Sequence, residues 1–445
     1  MTGAELARRL IEAARRAGAD AADALAVSSR DVSVSVRGGA LEEAESAESL
    51  DYGLRALVGR RQACVSASDP SPAALEEVAA RAVAMARAAP EDPYCGLPDG
   101  GLADLSRLPD LDIEDHAEPP LPATLKAMAA EAEAAALAVA GVAQAESAGA
   151  GWRRSDIAFA ATNGFSGAYA RTGASLSVSA VAGEGLGMET DYEYASRTHF
   201  ADLPPPSEIG ATAGARAAAR LKPRRAKTGA YPVLFDRRVS GSLVGHVLGA
   251  INGSAVARGA SWLKDRMGER VLPPGFTITD DPHRRRAAGS RPFDGEGMAL
   301  SARRLVDDGV LAGWTLDSAT ARRLGLPAPG GARRGVGGPP SPGTSTLELS
   351  EGEETAEALI RAMGEGLIVT SMIGSSISAT TGAYSRGAAG YWVEGGEIAW
   401  PVNELTIAGS LPDFLLRMRA ANDADRTRGV IAPSLLVEGL TIASG

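Results

Sequence analysis

The residues able to do metal, nucleophilic or acid–base chemistry are few: four His and two Cys in a chain of 445 residues. His246 has the most suggestive context, because Arg238–Ile251 reads as a helix with Val239, Leu243, Val247 and Ile251 on one stripe. A zinc-hydrolase helix would set a second His about a turn away and a Glu beside the first, so that imidazoles hold the metal and the carboxylate activates water. Here the run is Gly245-His246-Val247-Leu248-Gly249-Ala250, with neither partner, so His246 reads as a packed or surface histidine. His116 lies in the acidic stretch Asp110–Glu118 and reads as surface; His283, in Asp280-Asp-Pro-His-Arg-Arg-Arg, reads as a turn. His199 follows Asp191-Tyr-Glu-Tyr and could pair with a carboxylate, but nothing joins it at metal-ligand spacing. Cys64 sits in a strand pattern and is expected to act as a small hydrophobe, while Cys95 falls in a loop. Gly-x-Ser-x-Gly, P-loop and dinucleotide-binding signatures are missing, and Gly185-Leu-Gly-Met is too slight for a phosphate site.

Composition narrows the classes further. Two cysteines exclude a disulfide scaffold, an all-cysteine zinc site and a cysteine-held iron–sulfur cluster, and they suit a reducing compartment. A balance of 45 basic against 55 acidic residues, net −10, argues against nucleic-acid and anionic-membrane partners. The basic run Lys222-Pro-Arg-Arg-Ala-Lys lacks interleaved aromatics and reads as a solvated interdomain linker. The opening residues lack the apolar core of a secretory signal. No apolar run approaches the ~18 residues a membrane span needs; Leu125–Val139 comes nearest, interrupted by Lys126, Glu131 and Glu133. A cytoplasmic protein is expected.

The elements that would position these side chains read as an α+β fold: an N-terminal half of helices on antiparallel strands, and a C-terminal half dominated by curved antiparallel sheet with flanking helices. Residues 1–225 form the first region, with sub-regions of about 1–90 and 120–222 joined by a Pro- and Asp-rich extended connection; residues 230–445 form the second. A first helix ends near Gly18, and Pro72 opens another through Ala88. Strands are expected at Leu25–Ser28, Val32–Arg37, Tyr52–Val58 and Gln62–Ser68. After a helix over Pro122–Ala140 come strands at Ile157–Ala161, Phe165–Arg171 and Leu176–Val181, with turns at Asn163-Gly164 and Thr172-Gly173. A helix from Ser207 to Leu221 closes this half. Tyr231–Phe235 opens the next as a buried strand, and Asp308-Gly309 marks a hairpin. Gly330–Gly343 forms a long irregular loop of the kind that is usually functional or mobile. A helix Glu354–Met363 stops at Gly364 and a strand Leu367–Ile373 follows. Ser410, three residues before Asp413, reads as a capping box for a helix through Ala421; Leu435–Ile442 ends the chain as strand.

The run from Thr381-Gly-Ala-Tyr-Ser-Arg-Gly-Ala-Ala-Gly-Tyr-Trp-Val-Glu-Gly-Gly to Gly409 resembles the hallmark of the TldD/PmbA family, and the PmbA (TldE) branch more than the TldD branch. The resemblance extends through Tyr52-Gly-Leu-Arg-Ala, Leu243-Val-Gly-His-Val-Leu-Gly-Ala-Ile-Asn-Gly-Ser, Pro292-Phe-Asp-Gly-Glu-Gly and Val306-Asp-Asp-Gly-Val-Leu, and so across nearly the whole chain. It implies a zinc peptidase of two homologous subunits, in which TldD-type chains carry a His-Glu-x-x-x-His helix and a later Cys, and TldE-type chains lack them. Matching that helix puts Gly245, His246 and Ala250 where the first His, the Glu and the second His would stand, and Asn422–Gly429, near the later Cys, has no cysteine. The resemblance therefore implies a chain without a catalytic or metal site of its own, with zinc in a TldD-type partner.

The expected function is a TldE/PmbA-like non-catalytic subunit that completes and encloses the cleft over its partner's metal. The resemblance implies that the pair cleaves unfolded or flexible peptides, such as precursors of peptide antibiotics and antitoxins. Tyr384, Ser385 and Arg386 are expected to face the partner or peptide, although the same glycine-rich segment would also serve tight turns while Tyr391 and Trp392 pack a core. A second possibility is a homodimer that captures extended peptides by strand addition without cleaving them. A third is a self-sufficient hydrolase with a serine or carboxylate site. A homodimer of the isolated chain fits the tendency of paired homologous subunits to associate with themselves.

Overall fold

The computed structural model describes residues 1–444. Three antiparallel strands open it: β1 (Ala21–Arg37), β2 (Ala40–Val58) and β3 (Arg61–Ala67). Three more, β4 (Val142–Ala161), β5 (Ser166–Ala182) and β6 (Glu189–Arg197), join them through β1–β4 pairing in a single six-stranded sheet ordered β3-β2-β1-β4-β5-β6. The two expected sub-regions thus contribute half a sheet each. Strict alternation gives the sheet two faces. On one, helices α1 (Gly3–Arg16) and α2 (Pro72–Ala88) cover Ala24, Tyr52 and Leu54. Helices α3 (Pro122–Leu137) and α4 (Pro206–Ala219) cover Val34, Leu176 and Val178 further along that face. The other face, carrying Leu25 and Phe159, meets Phe293 of the C-terminal half.

That half contains two sheets. One joins β8 (Ile278–Asp281), β9 (Arg303–Asp307), β10 (Val310–Leu311), β11 (Thr346–Leu349) and β16 (Val430–Ile431). The other is ordered β14-β13-β12-β7-β17-β15, from β7 (Gly229–Phe235), β12 (Gly366–Ile377), β13 (Ala383–Glu394), β14 (Glu397–Ser410), β15 (Met418–Ala420) and β17 (Leu435–Ser444). An added β14–β17 pairing curls it. Helix α5 (Gly241–Ala250) buries Leu243, Val244, Val247 and Ala250 in the core between the sheets, joined there by residues of α6 (Gly253–Ala257) and α7 (Ser318–Leu324). Helix α8 (Ala356–Met363) ends at Gly364 in a positive-φ cap and packs against Leu234 and Leu436.

The fold is α+β with curled antiparallel sheets, as expected, and the hairpins at Asn163-Gly164 and Asp308-Gly309 form. Three local expectations fail. Thr172-Gly173 is no turn, because β5 runs straight through it in register with Arg153 and Arg154 of β4. The neighbouring strand supplies pairing that local turn propensity cannot outweigh. Likewise Leu25–Ser28 and Val32–Arg37 are one strand, and β2 starts at Ala40. Ser410 makes no capping bond; the helix it was to start is one α-turn, α9 (Leu411–Phe414), continued by a 3-10 turn over Leu415–Arg417 before the chain enters β15 to pair with β17.

Glycines in the hallmark segment of β13 serve close approach as much as turning. A Cβ on Gly390 would lie 1.9 Å from the Ile368 carbonyl oxygen, so only glycine lets β12 and β13 pack at that bulge. Trp392 beside it is fully buried, its ring edge-on to Tyr231 and stacked with Trp400.

Candidate functional site

The α5 surface is built by a helix whose apolar stripe is buried and whose Gly245 is exposed, with open space where a side chain would begin. His246 follows, half-buried, and the methyl of Ala250 points into the core. The imidazole packs edge-on to Tyr384 with ring centroids 5.6 Å apart, and its Nε2 has no partner among the described residues. Burial, assisted by the guanidinium of Arg386, lowers its pKa to about 4, so it is a neutral ring at physiological pH.

The structure therefore brings together three residues singled out from the sequence: His246, Tyr384 and Arg386. Tyr384 lies beneath the surface, 2% exposed against Phe414, with its hydroxyl 3.6 Å from Met372 Sδ and its pKa pushed up to about 12 by burial. Ser385 and Arg386 are half-buried beside it, and Arg386 Nε donates to the Gly374 carbonyl at 2.8 Å across the β12–β13 hairpin. Any partner- or peptide-facing role in this strand belongs to Ser385 and Arg386 rather than to Tyr384. Nearby, Ile373, opposite Gly387 in the half of that hairpin toward its turn, is 73% exposed.

This donor set does not suit zinc. One imidazole stands alone, faced by a phenol and a cation, and a guanidinium repels a metal ion. The segment 422–429 is an ion-pair lattice, with Arg426 reaching Glu348 and Glu351, and Asp425 held by Thr427 and Arg428. Among the described residues no three of His, Cys, Asp and Glu gather as a metal site. His199 lies 3.2 Å from Asp112 and 3.7 Å from Asp115, tying the extended connection to the end of β6, while His116 is exposed. Both thiols are half-buried and held in the neutral form, chiefly by burial.

A second constellation, missed from the sequence, lies where the halves meet. Asp23 and Arg55 face each other across β1 and β2 on the face away from the helices. Arg55 donates to Asp23 Oδ2 through Nε at 2.9 Å and Nη2 at 2.5 Å, and Arg334 of the glycine-rich loop donates to Oδ1. All three side chains are at most 2% exposed. Burial alone would raise the Asp23 pKa; the two guanidiniums outweigh it and hold the carboxyl below its ordinary range. Gly53 makes room for the loop, since a Cβ there would sit 1.7 Å from the Val336 carbonyl oxygen. Asp294 accepts four backbone N–H bonds, from Glu296, Met298, Gly331 and Ala332, and so ties its own turn to the start of the loop. Glu296 accepts from the Ser318 amide and hydroxyl, each at 2.8 Å. Burial, with the nearby Asp294 charge, raises its pKa to about 7. The available signal was a charge inside an otherwise apolar strand segment: Asp23 in Ala21–Val27 and Arg55 in Tyr52–Val58.

Comparison with known proteins covers this whole arrangement. Models described as PmbA/TldA metallopeptidase domain 1, central domain and C-terminal domain match residues 22–86, 109–221 and 228–444. The chain is 35% identical over 425 residues to the Metalloprotease PmbA of Escherichia coli O157:H7, covering 95% of this chain and 92% of that one. A Metalloprotease TldD homolog of Haemophilus influenzae is 28% identical over 188 residues, covering 42% and 39%. A crystal structure of a protein described as a candidate modulator of DNA gyrase from Bacteroides thetaiotaomicron superposes with a TM-score of 0.91 at 26% identity, covering 99% of this chain and 98% of that one. The fold also matches TldE from Thermococcus kodakarensis, with a TM-score of 0.85 at 19% identity and coverage of 99% and 100%.

Proposed function

Since the chain belongs to the PmbA/TldD metallopeptidase family, we propose that it is a TldE/PmbA-like, non-catalytic subunit that pairs with a TldD-type, zinc-bearing chain to cleave unfolded or flexible peptides. The observation that carries this reading is the chemistry of α5. Gly245, His246 and Ala250 offer one neutral imidazole, packed against Tyr384 and facing Arg386, where a peptidase would need two metal ligands and a base. In this reading the exposed end of the β12–β13 hairpin, with Ser385 and Arg386, lies against the partner and closes the cleft around an extended chain. A folded substrate would be excluded by size.

The test measures cleavage of an unstructured peptide by this chain, by a TldD-type homologue from the same genome, and by both. Zinc-dependent cleavage is expected only with both present. Activity from this chain alone refutes the reading, and full activity of the homologue alone refutes the need for the pair. One observation favours a second reading, a peptide-binding homodimer without protease activity. Among the described residues, 40–51 of β2 pair with β1 only, leaving an open edge rich in Glu, able to add a basic strand. That reading predicts stoichiometric peptide binding with no cleavage in any mixture.

A further inference from the structure

Behind the Asp23–Arg55–Arg334 junction lies a cavity of about 160 Å³ between the two halves of the chain. Its apolar side is the far face of the large sheet, with Leu25, Val27, Phe159 and Tyr169, joined by Phe293. Phe293 meets Tyr169 edge-on at 5.3 Å, which holds both rings in place. Its polar side is cationic, with the side chains of Arg171, Arg291, Arg333 and Arg334 against the single carboxylate of Asp294. The Asp294 oxygens are already taken by backbone amides, so that carboxylate does not serve the arginines.

Among the described residues, the hydrogen bonding of two of these arginines, Arg291 and Arg334, is incomplete. Arg291 is 6% exposed; Nη2 donates to the Gly331 carbonyl at 3.2 Å, but Nε has no acceptor. The Arg334 side chain is 1% exposed; Nη1 bonds Asp23, one face lies over the Phe159 ring, and Nε and Nη2 have no acceptor. Buried guanidinium N–H groups without acceptors are rare and costly, and they suit an anion that supplies the missing oxygens. Burial and the neighbouring Arg333 charge also push the Arg291 pKa down to about 10, a shift that a bound anion would oppose. Arg291 immediately precedes Pro292-Phe-Asp-Gly-Glu-Gly and Arg334 lies in the glycine-rich loop, two segments that the subunit role leaves unexplained.

We propose that this interdomain cavity binds a small carboxylate bearing a compact aromatic or branched aliphatic group. The two carboxylate oxygens take the free N–H groups of Arg291 and Arg334, and the apolar body lies among Phe159, Tyr169 and Phe293. The size agrees, since a cavity of about 150 Å³ accommodates a benzene ring. A bare phosphate would use the arginines and leave the aromatic wall unused. The proposal stands independently of the peptidase role. The carboxylate could belong to a free small acid or to the C-terminus of a peptide.

The experiment is calorimetric titration of the full-length chain with sodium benzoate. Saturable binding at one site per chain is expected, weakened about tenfold or more in Arg291→Gln, the worth of one charge-assisted hydrogen bond. Because Arg291→Gln risks misfolding, Val27→Phe provides an independent test: it fills the cavity, removes no arginine, and should abolish binding with the melting temperature kept. A peptide ending in free phenylalanine that competes with benzoate, while its C-terminal amide does not, identifies the terminus as the source. Benzoate binding without peptide competition identifies a free acid. Absence of saturable benzoate binding, undiminished binding in Val27→Phe, or inorganic phosphate competing as well as benzoate overturns the proposal.

Discussion

Replacing Asp23 by Ala removes the carboxylate bonded to both Arg55 and Arg334, in a setting where all three side chains are at most 2% exposed. Breaking a buried ion pair by deleting one partner costs about 3–5 kcal/mol, because the remaining charge is left in a low-dielectric site. Arg55 keeps a bond to Gln62 at 3.2 Å, so its penalty is softened. Among the described residues Arg334 keeps no acceptor, since its other nitrogens already lack one. The loss should therefore fall mainly on the loop 330–343, and about 3–5 kcal/mol raises its open population by about 10²- to 10³·⁵-fold. Urea unfolding of the parent, Asp23→Ala, Arg334→Met and the double variant measures this as a cycle, and trypsin cleavage after Arg333 and Arg334 reports the loop. The double variant should be more stable than the sum of the singles by at least about 1 kcal/mol, because Arg334→Met removes the charge that Asp23→Ala strands. A cost below about 1 kcal/mol for Asp23→Ala, or additivity within about 0.5 kcal/mol, would refute the reasoning.

Gly53→Ala should open the same loop without touching a charge, since its Cβ would meet the Val336 carbonyl oxygen at 1.7 Å; a loss of about 1–3 kcal/mol and faster tryptic cleavage at Arg334 are expected, and parent-like resistance contradicts the close approach. Proton NMR titration of His246 should give a pKa near 4. Its folded value lies below the unfolded one, near 6.5, so its contribution to stability is present above about 6.5 and lost as pH falls towards 4. His246→Phe should flatten the urea midpoint across that window. Glu296 behaves oppositely: with its folded pKa raised to about 7, its contribution is full below about 4.5 and lost as pH rises through 7. Glu296→Gln should remove that decline, and an unchanged pH profile would show that Glu296 does not titrate there.

The family hallmark around Tyr384 and the absence of a His-Glu-x-x-x-His pattern at Gly245–Ala250 are local facts, readable in one dimension, and so are helices with strong caps such as Pro72–Ala88. Strands were visible only in part. Alternation showed Val32–Arg37 but could not show that β1 runs unbroken from Ala21, because continuity is set by the neighbours that pair with it. The break expected at Thr172-Gly173 failed for the same reason.

Composition, spacing and motif thus determined the α+β class, the family resemblance and the lack of zinc-ligand chemistry on α5, since each depends on which atoms are present. Tertiary structure alone decided where side chains meet. It buried Tyr384 against His246, and it brought Asp23 and Arg334, 311 positions apart, into one ion cluster. It also left Arg291 and Arg334 with free donors beside an aromatic wall. Such contacts depend on how two halves of a chain pack, and no local periodicity encodes that packing.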